Sequence, residues 1–466
     1  MRLCASPTLL KVKSLNLGSL GSPVRPFLAK ALEPPPAQSV NNALDLLEAI
    51  GAVHVGTEAL TALGKHLAKL PMDPRLGKML VVACCVRCLG PALTIAAALA
   101  HRSPFVMPIE GKERADAAKE YFADDSCSDH LAVLSAFNQW QELRRRCRSA
   151  AEEERWCWDH FVSLPALRTM QDLRAQFAGL LRDAGFVPTA KAPEDGRPSG
   201  EERARRADGL LGDRRGRDGG GGEGGSGGGG GGGGIELPDA VDGLRDETCL
   251  VRAVVCAGLF PRVAAVSSGG RRGGNKGKGK GGKGRIRMLW HTREDGKVDP
   301  HPGSVNAFPL GAFEYSWMVY GEKVRSPGGT MVRDSTNVSD LALLLFGGEL
   351  CDDAAGTADD CYAKVSMLNG YVTFAAPRST IELVKRLRRA MDAHLDARIQ
   401  DPRAHSTVLH GSVPAGGLAA EHGPLTDAVL TLLRSEDGYA KMQPAFGGSF
   451  GPPRGKGKGQ ACGRGL

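Results

Sequence analysis

Apolar positions in the first 75 residues repeat with helical spacing and are interrupted by prolines. Phe27, Leu28 and Leu32 make one apolar face, and Pro34-Pro35-Pro36 ends that helix. Val40, Ala43, Leu44, Leu47 and Ile50 mark a second helix, with Gly51 as its C′ residue. Val53 and Val55 alternate as a short strand does, and a third helix from Thr61 to Leu70 stops before Pro71. Three helices and a strand predict a winged-helix variant over 1–75. Residues 76–190 are helical throughout. Met79 to Leu89 is nearly all apolar, as a core helix is, and Pro91 suits a first helical position opening Ala92 to Ala100. Phe122, Leu131, Leu134, Phe137 and Trp140, then Met170, Leu173, Phe177, Leu180 and Leu181, carry further amphipathic faces. Faces of that kind predict a helical bundle.

The periodicity then disappears. Residues 191–240 become charged and then almost pure glycine, and Gly219 to Gly234 is broken only by Glu223 and Ser226. Such a stretch buries too little apolar surface to offset its ordering entropy, which predicts a disordered linker. Beyond it the pattern turns strand-like. Leu250 to Val255, Val263 to Val266, Arg285 to Trp290, Trp317 to Tyr320, Met331 to Val332 and Tyr371 to Phe374 read as strands between Gly/Pro/Asp turns. They predict a small barrel of the OB type over 241–376, with a Gly/Lys insert at 269–284. A C-terminal helix follows over 377–400, and 401–466 reads as a mostly disordered tail with a short helix. The fold class is therefore α+β multidomain: a winged-helix-like unit, a helical bundle and an OB-type barrel with disordered Gly-rich inserts.

Composition adds little to this, but charge placement adds a location. The 466 residues carry a net charge of only +8, yet Arg262 to Arg333 holds 14 Lys/Arg against 5 Asp/Glu. That local field favours a phosphate backbone and salt-sensitive binding. The 12 cysteines form no regular framework. Cys85-Val-Arg-Cys88, beside Cys84, has zinc-ligand spacing but no second pair, so packed reduced thiols are the preferred reading. No stretch approaches the roughly 20 apolar residues of a membrane span. An intracellular setting, cytoplasmic or nuclear, is expected.

Four passages carry a family resemblance: Phe27 to Pro35 with Asn42 to Gly51; Leu63 to Met79 running on to Leu93 to Ala97 and Ser103-Pro-Phe105; Ser128-Asp-His-Leu131; and His291 to Val298 with His301-Pro302, Ser304-Val-Asn306 and Val338 to Gly348. In this order they resemble the region that follows the two RecA-like lobes of DEAH/RHA-type RNA helicases. The last passage is closest to the subgroup with G-quadruplex-resolving and translation-associated members. The resemblance implies a degenerate winged helix, a helical ratchet bundle and an OB-fold that closes over single-stranded or structured RNA. It also implies RecA lobes as partners, which would hold ATP and magnesium in a parent 3′–5′ helicase. This chain has no such engine of its own. Gly274 to Lys280 and Gly277 to Lys283 match the P-loop string, but glycine follows each where a hydroxyl is needed. No Asp-Glu-Ala-His run occurs, so no cofactor and no catalytic residue is expected in this chain. Its start just before the winged helix reads as that of a truncated or alternative product, or of a free-standing module.

The candidate RNA-binding residues are Arg285, Arg287, His291, Arg293, Lys297, His301, Ser304 and Asn306, grouped around a hairpin whose turn is Glu294-Asp-Gly296. Strand alternation places Arg285 and Arg287 on one face. Trp290, Trp317 and Tyr320 could stack on bases, but barrel core is the preferred reading. Asp73 and Arg75 are expected to pair within Pro71-Met-Asp-Pro-Arg75 as a hinge between domains, and His54, His66 and His130 to be structural. The competing function is a non-enzymatic single-stranded RNA-binding or adaptor protein using the same surfaces.

Overall fold

The computed structural model describes residues 5–15, 24–108, 110–147, 149–188, 236–268, 288–307, 313–352, 362–403 and 422–442. Most of the glycine-rich linker, the Gly/Lys insert, Arg285 and Arg287 lie outside the described residues. The described chain resumes at residue 236, inside the segment expected to be linker.

Helices α1 (Ala5–Ser14), α2 (Val24–Leu28), α3 (Ala37–Ala49) and α4 (Ala62–Leu67) form the winged-helix unit around Leu9, Leu10, Leu44 and Leu47. The hydroxyl of Thr61 caps α4 by accepting from the Gly64 N–H at 3.0 Å. Gly51 takes φ +75°, as a C′ residue after α3 requires. Two readings change here. Val53 makes only an isolated bridge with Leu60, and Leu32 lies beyond α2, fully exposed.

The bundle comprises α5 (Pro74–Cys85), α6 (Leu89–Ala100), α7 (Lys112–Ala123), α8 (Asp129–Arg146), α9 (Ala150–Asp159) and α10 (Leu164–Asp183). Helix α6 begins two residues before Pro91. Its Gly90 N–H, left without a partner inside the helix, donates to Asp242 Oδ1 at 2.6 Å. Asp242 belongs to α11 (Asp239–Asp242), 152 residues away. The expected Asp73–Arg75 pair is present at the α5 N-terminus. Arg75 Nη2 donates to Asp73 Oδ2 at 2.6 Å, and the Arg75 backbone N–H to Oδ1 at 2.9 Å.

The run Leu250 to Val255 is not a strand but the middle of α12 (Thr248–Leu259). Cys249 through Leu259 are all buried, so neither periodicity shows in the sequence. Gly258 lets α12 approach α5, because a Cβ there would lie 2.5 Å from Met79 Cβ. Strands β1 (Val263–Ser268), β2 (Met288–Thr292), β3 (Gly296–Pro300), β4 (Trp317–Ser326) and β5 (Gly329–Val338) close a barrel in the order β1-β2-β3-β5-β4. Among the described strands only the β3–β5 pairing is parallel. This five-stranded closed barrel is the OB architecture.

Of the expected strand Tyr371 to Phe374, Tyr371 lies in the preceding turn and the rest is a strand outside the barrel. It belongs to β8 (Val372–Pro377), which with β6 (Cys351–Asp352) and β7 (Tyr362–Met367) makes a separate three-stranded sheet. Helix α13 (Asp340–Phe346) links the barrel to that sheet, and α14 (Arg378–Gln400) follows it. The tail contains a 21-residue helix, α15 (His422–Met442), whose Val429, Leu430 and Leu433 are buried in the main core. No helix of the described residues is long and apolar enough to cross a membrane.

Candidate nucleic-acid interface

Alternation along β2 sends Trp290 and Thr292 inward, at 1% and 2% exposure, and leaves His291 outside. His291 sits opposite Lys297 in the β2–β3 register, and Val298 faces the core. Gly296, at φ +65°, closes the turn. The acids of that turn are already engaged. Lys323 of β4 donates to both Glu294 and Asp295 at 2.6 Å, and Arg325 reaches Asp295 at 3.5 Å. These hydrogen bonds outweigh the effect of partial burial and raise the Lys323 pKa. Arg293 and Lys297 are exposed and have no carboxylate within ion-pair distance among the described residues. The hairpin therefore presents His291, Arg293 and Lys297, with the turn acids Glu294 and Asp295 engaged by β4 and Asp299 left exposed on β3.

The stacking candidates are core residues. Trp290 packs edge-to-face on Phe313 at 5.8 Å and 89°, while Trp317 and Tyr320 are 6% and 2% exposed. The downstream candidates diverge from the hairpin. His301 is half-buried, and its Nδ1 accepts from the Gly303 N–H at 3.1 Å. Burial lowers its pKa, with Arg333 and Lys119 adding to the effect. Ser304 faces the bundle, and Asn306 is buried against β5 of the barrel. Ser304 Oγ donates to Asp129 Oδ2 at 2.5 Å. Asn306, 1% exposed, donates through Nδ2 to Ser335 Oγ at 2.9 Å and Ser335 O at 3.2 Å. Burial leaves the Asn306 amide donors engaged inside the protein.

Those contacts belong to a polar seam between bundle and barrel. Asp129, at the start of α8 and 2% exposed, accepts from Lys119 Nζ at 2.7 Å, Val305 N–H at 3.0 Å and Ser335 N–H at 2.9 Å. Burial alone would raise its pKa, but Lys119 and the Ser304 and Ser335 donors hold it below the usual carboxylate range. Its neighbours bridge the same gap. Ser128 Oγ lies 2.6 Å and His130 Nδ1 2.7 Å from Thr336 Oγ1. Asn337 Nδ2 donates to Tyr315 O and Trp317 O at 2.9 Å, fixing the same C-terminal end of β5 to the start of β4. Ser335-Thr-Asn337 repeats the Ser-x-Asn pattern of Ser304-Val-Asn306. That recurrence is the one signal by which the sequence could have pointed to the β5 residues of the seam.

The same domain succession is found by comparison with known proteins. The helicase-associated HA2 winged-helix domain matches residues 43–72, and the ratchet-like HA2 domain matches residues 73–157. The oligonucleotide/oligosaccharide-binding fold matches 251–350, and the C-terminal domain in RNA helicases matches 364–435. The chain carries the helicase-associated, OB-fold and C-terminal domains of DExH-type RNA helicases. In this family setting, the chain is 39% identical to the DExH-box ATP-dependent RNA helicase DExH1 of Arabidopsis thaliana, over 92% of this chain and 34% of that protein. It is 31% identical to the ATP-dependent DNA/RNA helicase DHX36 of Homo sapiens, over 84% and 32% respectively. Against the ATP-dependent RNA helicase DHX29 of Mus musculus the values are 29%, 82% and 23%. The chain thus spans about a third or less of these curated relatives. Its helicase-associated region holds Cys84, Cys85 and Cys88 as buried free thiols, and burial pushes Cys85 up to about 11.

Proposed function

We propose that this chain is the RNA-engaging accessory region of a DExH-type helicase, and that the β2–β3 hairpin is its phosphate-contacting surface. The supporting observation is the set of exposed cations, Arg293 and Lys297 beside His291, with the turn acids Glu294 and Asp295 tied up by Lys323. A basic barrel face contacts the sugar–phosphate backbone without reading sequence. Arg285 and Arg287, just before β2, extend the same charge in sequence. ATP hydrolysis is assigned to RecA lobes outside this chain, as in the relatives named ATP-dependent helicases. The bundle–barrel seam keeps the hairpin in a fixed relation to the ratchet.

Fluorescence-anisotropy titration of a single-stranded RNA, repeated across salt concentrations, tests this reading. Arg293→Ala with Lys297→Ala should weaken binding and flatten the slope of log affinity against log salt by about 0.7 for each phosphate no longer neutralised. An unchanged slope would remove the hairpin from the interface.

A further inference from the structure

At the bundle–barrel junction, α6, the start of α8 and β5 enclose a space of about 20 Å³. Its α6 wall is apolar, and Ser103, Asp129, His130 and Asp334 supply its polar lining. Two of these polar groups lack partners. His130 is 4% exposed, and its Nε2 is buried with no hydrogen bond. The half-buried Asp334 carboxyl has no hydrogen bond or ion pair among the described residues. Asp334 also holds a left-handed backbone, φ +54°, which is uncommon for a side-chain-bearing residue. Gly321 on the adjacent strand makes room for it, since a Cβ there would lie 3.1 Å from Asp334 Cβ and 3.3 Å from Leu99 Cδ2.

Buried polar groups of this kind are satisfied in proteins by ordered water, and one water needs roughly 10–15 Å³. The space is large enough. The hydrogen-bond order around His130 also determines what such a water would meet. Thr336 has one hydroxyl proton and lies 2.7 Å from His130 Nδ1 and 2.6 Å from Ser128 Oγ. When Thr336 donates to Nδ1, the ring proton sits on Nε2, which then needs an acceptor. When Nδ1 donates to Thr336, Nε2 needs a donor. An ionised Asp334 answers the first state and a protonated Asp334 the second.

We propose that this space holds one ordered water joining Asp334 to His130 Nε2, closing a hydrogen-bonded chain from Asp334 through His130 and Thr336 to Ser128 that makes the seam proton-sensitive. The charged groups facing Asp334 are Asp129, Lys119, Arg333 and Glu322; α6 contributes none. Burial first, then the Asp129 carboxylate, pushes Asp334 up to about 6 from an ordinary 3.8, against the pull of Lys119 and Arg333. A raised carboxyl favours the folded state when neutral, so this contribution is lost as pH rises from about 4 through about 6. His130, lowered by burial to about 4, acts oppositely and gains stability over that range. Only a variant at Asp334 separates the two.

The test compares the melting temperature of the full chain with that of Asp334→Asn from pH 4.5 to 7.5. The difference, variant minus parent, should rise by about 2–4 °C across that range, the shift expected per kcal/mol for a mid-sized domain. A flat or falling difference overturns the proton-linked seam. Hydrogen exchange compared between the parent and Asp334→Asn gives a second readout in which the opposing His130 contribution and the intrinsic base-catalysed increase cancel. Opening at Ser335 to Asn337 should accelerate severalfold more in the parent than in the variant over the same range, and an unchanged ratio contradicts the proposal. A high-resolution crystal structure should show a water within hydrogen-bond distance of both Asp334 and His130 Nε2. A dry junction overturns the water.

Discussion

Asp129 receives donors from both domains at once, from Lys119 in the bundle and from Ser304, Val305 and Ser335 in the barrel. A buried carboxylate so fully satisfied tolerates no truncation, because each donor would be left buried without its acceptor. Asp129→Ala should lower stability by about 3 kcal/mol, the cost of breaking a buried charged pair, read as a reduced urea midpoint. Acid should act in the same direction. The depressed Asp129 contributes stability above its ordinary value of 3.8 that is lost as pH falls through its lower folded value. Its role is only half visible in the chain. Ser128-Asp-His130 stands out as a triplet, but its barrel partners lie 175 to 208 residues away and no local periodicity links them. Ser304 and Asn306 mislead for the same reason. Short polar side chains in a turn look alike whether they face water or another domain.

Elements are legible where one face is buried and the other wet. Helices α8 and α10 of the bundle, the β2–β3 hairpin with its Gly296 turn, and α14 carry that contrast. Helix α12 does not, because every residue from Cys249 to Leu259 is buried, and its valines suit a strand equally well. Its identity follows from tertiary packing, with α5, α13 and α15 around it. Gly258 makes this testable. Gly258→Ala places a methyl 2.5 Å from Met79 Cβ. Overpacking should cost about 1–3 kcal/mol, outweighing the gain in helix propensity. A denaturant midpoint equal to the parent's would show that α12 and α5 can separate without penalty. Helix α15 is partly legible as a short helix in the tail. Its docking is not, since Tyr315 to Asp437 at 2.5 Å and Leu341 N–H to Glu436 at 3.2 Å join segments far apart in sequence.

At the scale of the whole molecule, the order winged helix, bundle, barrel is readable from the changing hydrophobic period alone. The separation of the final three-stranded sheet from the barrel is not, because both are short strands between turns. The same limit applies to function. A run of cations in the sequence locates a basic region, but only the fold shows that Lys323 and Arg325 face the turn acids while Arg293 and Lys297 stay clear of any carboxylate among the described residues. The seam and the hairpin then form one device: a ratchet bundle bonded to a barrel whose exposed cations project from one hairpin. The most direct test is site mapping on the full chain. A single-stranded RNA carrying a photoreactive uridine is crosslinked and the modified peptides are identified by mass spectrometry. Crosslinks should concentrate within His291 to Val298 and decline with added salt. Crosslinks confined to other surfaces, with the hairpin unmodified, would contradict the assignment of the RNA-contacting face.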